Sequence, residues 1–266
     1  MIGPLARWWR QRRDQAALRR RPIPDDLWKR TLVRYPFLRD PADPGATRLR
    51  RMTSLFLDRK EFTAVAPVRL TNDVVVAIAA QACLPVLELG LDRYDGFVGI
   101  VVQPDQVVAP RQQLDEHGVL HEYDEWLTGE AVQGGPVMLS WRDVRSSGRT
   151  AGDGYNVVIH EFAHVLDMAD GVADGRPPLP ADLDANTWAD VMQAEYRRLC
   201  ERVERDEETA LDPYGASAPE EFFAVASEAF FVNPALLLAE HAPVYALLTR
   251  FYRTDPAARG ATQVGR

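Results

Sequence analysis

Two histidines and a glutamate stand close together in the run Val157-Val158-Ile159-His160-Glu161-Phe162-Ala163-His164-Val165-Leu166-Asp167. On a helix, side chains at i and i+4 leave one face a turn apart, so both imidazoles can reach a single ion. Imidazole suits zinc, and a catalytic zinc takes three protein ligands while keeping a fourth position open for water. Glu161 sits beside that position, where a carboxylate can take a proton from water and pass it to a leaving amine. His160 and His164 are therefore expected as metal ligands and Glu161 as general base. Asp167, one turn beyond His164, is expected to steady the ligand set from behind. The chain has 5 histidines, and burying two on one apolar helix without a partner would be costly. The expected cofactor is one Zn2+ per chain.

A second pair, His117 and His121, has the same spacing. Gly118 weakens a helix there, no glutamate follows the first histidine, and the flanks read as loop and strand. We read this pair as surface, with His121 still able to approach a substrate cleft.

A third ligand is required. Further along, Ser217 and Glu220 make a capping-box pattern with Pro219 in the first helical turn. Glu221, Val225 and Glu228 then share one face of a helix crowded with aromatic residues, and an acid in such surroundings calls for a cation. The residues alone leave Glu220, Glu221 and Glu228 open, and an acid in a first turn also suits the helix dipole.

These residues need elements to hold them. Apolar periodicity predicts helices over Asn156 to Ala169, Thr187 to Arg205, Pro219 to Phe231 and Val244 to Tyr252. In the first, Val158, Phe162, Val165 and Ala169 form the stripe expected to face the core, and Gly171 is the stop. Upstream, Leu49, Met52, Leu55 and Phe56 share a helical face, and Val74 to Ala82 reads as a buried helix capped near Thr71-Asn72-Asp73. Between the helical halves lie strand patterns: Gly96 to Val102, a short strand ending at Val107-Val108 before Pro110, and Glu130 to Val132 with Val137 to Trp141 around the Gly134-Gly135 turn. The predicted fold class is α+β, with a helical N-terminal part, a small mixed central sheet and a helical C-terminal half.

Composition sets the bounds. The 266 residues, 46% hydrophobic and 26% charged, are those of an ordinary soluble protein with a sizeable core. Two cysteines, Cys83 and Cys200, make no disulfide framework and read as buried thiols in a reducing compartment. No apolar core of a secretory signal stands near the start. The most apolar stretch, Val74 to Leu91, is broken by Gln81, Pro85 and Glu88, which argues against a membrane span. A cytoplasmic protein without a membrane partner is expected. The first 60 residues hold 16 Lys/Arg against 6 Asp/Glu, and the other 206 hold 15 against 33. The basic head, with Arg7-Trp8-Trp9-Arg10 and Arg19-Arg20-Arg21, reads as a solvated helix face. No nucleic-acid motif accompanies it, so direct nucleic-acid binding is not expected. Residues 1–70 are taken as this basic helical segment, 71–256 as the domain bearing the site, and 257–266 as a flexible tail able to cover the cleft.

From about residue 75 the chain resembles the Mlc titration factor A family, the M90 zinc peptidases. The carriers are Cys83-Leu84-Pro85-Val86-Leu87-Glu88-Leu89-Gly90-Leu91, Gly135 to Trp141, Asn156 to Asp167, Tyr214-Gly215-Ala216-Ser217, Glu221 to Glu228, and Phe251 to Pro256. Residues 1–70 match poorly. The resemblance implies a gluzincin-like zinc site with His160, His164 and Glu221 as ligands, Glu161 as base, and Tyr214 as the hydroxyl that stabilises the oxyanion. The Tyr-to-Glu spacing and the Glu-Phe-Phe-Ala run are similar to those of the anthrax lethal factor catalytic domain, which favours Glu221 over its neighbours. Glu228 is left to support a ligand from behind. The resemblance also implies metallopeptidase activity of an aminopeptidase-like kind on a peptide or protein substrate. A regulatory partner, the repressor that gives the family its name, is implied too. Val137 to Trp141 is similar to the family's strand upstream of the zinc helix, and as an edge strand it would pair with an extended substrate through Val137 and Leu139. Competing expectations are a binding protein that sequesters a repressor without catalysis, and a zinc hydrolase of a non-peptide acyl substrate.

Overall fold

A computed structural model describes residues 4–40, 42–43, 45–105, 107–114, 120–127, 129–131 and 133–261. The helical beginning is α1 (Pro4–Arg20), α2 (Asp25–Arg34) and α3 (Thr47–Arg59), followed by β1 (Glu61–Ala64) and α4 (Asn72–Cys83). The middle holds β2 (Gly99–Gln103), β3 (Val107–Leu114), β4 (Leu120–Leu127), β5 (Gly129–Ala131) and β6 (Val137–Ser140). The rest is helical: α5 (Trp141–Thr150), α6 (Val157–Asp167), α7 (Ala185–Glu204), α8 (Pro219–Val232), α9 (Pro234–Glu240), α10 (Ala242–Tyr252) and α11 (Pro256–Ala261). This is the α+β arrangement read from the sequence, with α4 capped where expected by the Thr71 side chain on the Val74 N–H.

The main sheet runs β1-β2-β6-β5. The first three strands are parallel, and β5 pairs antiparallel with β6, opposing Gly129 to Leu139 and Ala131 to Val137. The expectation for Val137 and Leu139 is therefore corrected. Strand β6 is bonded on both sides, and these two side chains are 1% and 0% exposed, so β6 has no free edge to offer a substrate. The edge beside the site is β5. Two smaller readings also change. Trp141 opens α5, because the Ser140 side chain caps the Asp143 N–H and starts a helix there. Strand β3 passes through Pro110, paired with Asp124 in a separate two-stranded ribbon; a ribbon is all edge, where proline is tolerated.

Helix α6 is the hub. Val157, Val158, Ile159, Phe162, Ala163 and Leu166 are 2% exposed or less. The Phe162 ring meets Tyr94 at 5.0 Å and Phe97 at 5.8 Å edge-on, and Phe56 of α3 at 5.7 Å in a tilted contact, which add to the burial of large rings. Residues 256–261, expected within or beside a flexible tail, form α11, and residues 262–266 lie outside the described residues. So do residues 117–119 of the His117–His121 pair; of His121 only the backbone in β4 is described.

Candidate metal centre

Asn156 is the hinge on which α6 starts. Its backbone is extended, and its Oδ1 accepts the Ile159 N–H at 3.0 Å, meeting one of the unpaired donors of a first turn. Its Nδ2 donates to Gln81 Oε1 of α4 at 2.9 Å, and its own N–H donates to Glu228 Oε2 of α8. Asn156, Gln81 and Glu228 are each 1% exposed or less. One buried network thus ties the start of α6 to α4 and α8.

Glu228 also accepts from His160 Nδ1 at 2.7 Å. With the proton held on Nδ1, the Nε2 of His160 presents its lone pair. Across that lone pair stand His164 Nε2 at 3.2 Å and Glu221 Oε2 at 3.0 Å, and the latter lies 3.3 Å from His164 Nε2. Three donor atoms converge at nearly equal spacing. A tetrahedron whose centre lies about 2.0–2.1 Å from each corner has edges of roughly 3.3 Å, so the set fits zinc. Glu221 Oε2 makes no hydrogen bond among the described residues although it is buried, as expected of an atom built to face a cation. These three are the one His/Cys/Asp/Glu group with metal-holding geometry among the described residues.

The electrostatics agree. Burial works against charge on His160, yet the carboxylates of Glu228 and Glu221 outweigh it and raise its pKa well above the ordinary value. Burial likewise opposes charge on Glu221, and the two imidazoles hold it far below the usual carboxylate range. The pocket favours positive charge between the three donors.

Glu161, 3% exposed, points elsewhere: its Oε2 is buried without a hydrogen-bond partner among the described residues. Burial pushes its pKa up to about 7, opposed by His160 and His164 and reinforced by Glu221 and Glu228. Strand β5 lies directly over it. A Cβ at Gly129 would come within 2.4 Å of Glu161 Oε1 and 2.5 Å of its Cγ, so any larger residue at 129 must displace the carboxylate.

Tyr214 stands on the rim in a short 3-10 turn, Pro213–Ala216, that Asp212 starts by accepting the Tyr214 N–H at 2.9 Å. Its ring is 43% exposed with its centroid 6.1 Å from that of His160. Gly215, buried beneath it against Leu199 and Val225, seats the turn on α7 and α8. The expected capping box is not formed. Ser217 Oγ donates to the Tyr214 carbonyl at 2.7 Å and Ala218 is the N-cap of α8. That leaves Glu220 half-buried and outside the donor group, with Glu221 one residue on and inside it.

Asp167 does not bond a histidine. Its Oδ2 accepts the Gly175 N–H at 2.9 Å and its Oδ1 is buried without a hydrogen-bond partner among the described residues. Gly175, at φ +76°, in turn accepts from Trp188 Nε1 at 3.1 Å, and a Cβ there would meet the Pro219 carbonyl at 2.5 Å. Asp167 therefore pins the end of α6, through Gly175, to α7 and to the first residue of α8. Gln81, Asn156, Gly129 and Gly175 are the site residues that sequence reasoning did not assign. Asn156 had a signal as a capping residue before an apolar run, and Gln81 as the lone amide in an apolar stretch; the two glycines had none.

The profile of the glucose-regulated metallo-peptidases M90 matches residues 6–253. The chain belongs to the M90 metallopeptidase family. It is 35% identical over 250 residues to the uncharacterized protein slr2042 of Synechocystis sp., 93% of this chain and 89% of that one. It is 37% identical to the Mlc titration factor A of Edwardsiella ictaluri over 227 residues, 84% of this chain and 86% of that one. To the Mlc titration factor A of Serratia proteamaculans it is 34% identical over 235 residues, 87% and 88% of the two chains. The M90 match begins inside α1, so the family likeness takes in the N-terminal helices as well as the site.

Proposed function

We propose that this M90 protein is a zinc-dependent peptidase. The observation that carries the reading is the convergence of His160 Nε2, His164 Nε2 and Glu221 Oε2, with Glu161, whose Oε2 has no hydrogen-bond partner among the described residues, next to His160 in the chain. His160, His164 and Glu221 would hold the zinc, which when bound supplies the positive charge that acidifies a water and polarises a carbonyl. Glu228 keeps His160 in the tautomer with a bare Nε2. Glu161 takes the proton of the attacking water and delivers it to the leaving amine. Tyr214, at the rim, donates its hydroxyl to the carbonyl oxygen as negative charge develops there. A peptide substrate is favoured over other acyl compounds because β5, an edge strand of the sheet among the described residues, lies against the base, and an unpaired strand edge binds extended chains.

Glu161→Gln should keep the zinc and abolish peptide cleavage; unchanged turnover would sink the mechanism. Metal analysis of Glu221→Ala beside wild type tests the third ligand, which should be lost with most of the bound zinc.

A second role, binding a repressor, is favoured by the name Mlc titration factor A carried by relatives over most of their length. A pull-down of candidate repressors with the Glu161→Gln protein separates binding from cleavage. No helix among the described residues is long and apolar enough to cross a membrane. Cys83 and Cys200 are unpaired, which suits the reducing compartment we propose for it.

A further inference from the structure

The apolar stripe expected on α6 is incomplete. Val158 and Phe162 are fully buried, but Val165 is only half-buried and Ala169, just past the helix end, is exposed. Together with the half-buried Met168, they border an open cleft of about 510 Å³. Its other apolar walls are Phe97 and Pro178, its roof is the turn Gln133-Gly134-Gly135 that joins β5 to β6, and Asp92 and Arg93 stand side by side at its margin.

The position of this cleft relative to Glu161 follows from two elements that run side by side. At one end Gly129 of β5 touches Glu161 of α6. At the other, the Gln133 amide lies 3.3 Å from where a Cβ on Gly171 would be. Ala169 is eight residues beyond Glu161, about 12 Å along a helix. Gln133 is four residues beyond Gly129, and these two contacts bracket the length from Glu161 to Gly171. Strand and helix therefore advance together from the base to the cleft. Glu161 and Val165, at i and i+4, share a face of α6, and Met168 opens the 3-10 turn Met168–Asp170 that follows the helix.

We propose that this cleft is a side-chain subsite that reads the substrate, a proposal that rests on the peptidase reading above. A peptide paired with the free edge of β5 covers the distance from Glu161 to Met168 in two to four residues at about 3.3 Å each. A residue that far from the cleaved bond places its side chain against Val165, Met168, Phe97 and Pro178. The walls select a bulky apolar side chain, such as leucine, methionine or phenylalanine. The glycines at 134 and 135 keep side chains out of the roof, and Gln133 and Arg93 leave polar groups at the margin for the peptide backbone.

The test uses the full-length, zinc-loaded chain and a peptide library varied at each position around the cleaved bond. Wild type should prefer leucine or phenylalanine over alanine by about tenfold at one position two to four residues from that bond. Met168→Trp, which fills the cleft, should remove the preference, and Met168→Ala, which widens it, should shift the preference toward phenylalanine or tryptophan. A flat profile over those positions, a preference there for acidic or basic side chains, or a preference untouched by both variants would overturn the proposal. Fluorescence anisotropy of labelled peptides on the Glu161→Gln protein reads the same subsite without cleavage. If wild type cleaves nothing, the peptidase reading falls, and the anisotropy alone decides the subsite. Equal affinity for leucine and alanine peptides, or no binding at all, rejects it.

Discussion

Carboxylates fasten two regions of this molecule with very different effect. At the centre, Glu228 holds His160 and the Asn156 N–H where no water competes. At the N-terminus, Asp58 holds Arg20 through two contacts of 2.7 and 3.0 Å, and Asp14 meets Arg59 at 3.5 Å, seating the second half of α1 on α3. The first half of α1 carries Trp8 and Trp9 at 42% and 65% exposure, with Arg12 stacked over Trp8. The bonds are of similar length, but breaking a buried, hydrogen-bonded charge costs about 3–5 kcal/mol, whereas exposed ion pairs are worth about 0–1. The worth of a contact here is set by its surroundings, not by the groups that make it.

The largest expected effect tests the buried side of that contrast. Glu228→Ala should lower stability by about 3 kcal/mol or more and weaken zinc binding about 10- to 100-fold, because His160 loses its orienting acceptor and Asn156 is left with an unpaired N–H. Urea melts and a zinc titration would read both; a variant as stable and as tight as wild type would erase the distinction. Next comes Gly129→Ala. The added methyl can be fitted only by moving Glu161, so kcat should fall about 10- to 100-fold with zinc content unchanged. Its stability cost should disappear in a Glu161→Ala background, where the methyl has room, and an equal cost in both backgrounds would mean that Gly129 matters only for the strand.

Asp167 sharpens the comparison through pH. Burial, with Asp174 adding to it and the Gly175 N–H opposing it, pushes its pKa up to about 7 from an ordinary value near 3.8. The folded state then binds a proton that the unfolded state has released, so this residue's contribution falls as pH rises from about 4 to 7. Asp167→Asn keeps an acceptor for Gly175 and should remove that slope, on the order of 2 kcal/mol between pH 5 and 7.5 in urea melts. Parallel profiles for the two proteins would contradict this. The smallest effect belongs to the surface. Asp58→Ala should move the melting temperature by no more than about 2 °C, and less at high salt. A larger drop would show that the α1 contact does more than its exposure implies.

The two regions also differ in how far they could be read beforehand. The α6 motif was legible because i, i+4 spacing on an apolar helix is a local property, and so was the α+β order of elements. The basic head was legible as charge, and its solvated face is what α1 presents. The expected capping box failed because Ser217 has a nearer partner in the Tyr214 carbonyl, a choice that spacing alone does not reveal. The free edge was misassigned to Val137 and Leu139, since a strand's own pattern does not say how many neighbours it has.

By itself the sequence determined the two histidines, the glutamate between them, the one helix that carries all three, and a short choice of acids for the third donor. The resemblance to a known family favoured Glu221 among those acids. The tertiary structure decided the rest. It set Glu221 Oε2 within 3.3 Å of both histidines, gave Glu228 to His160 as its orienting acceptor, and laid β5 over Glu161. It also left Val165 and Ala169 facing a cleft where periodicity expected core. The physical reason is that helical periodicity fixes which side chains share a face, whereas the distance between faces of α6, α8 and β5 depends on packing among residues far apart in the chain.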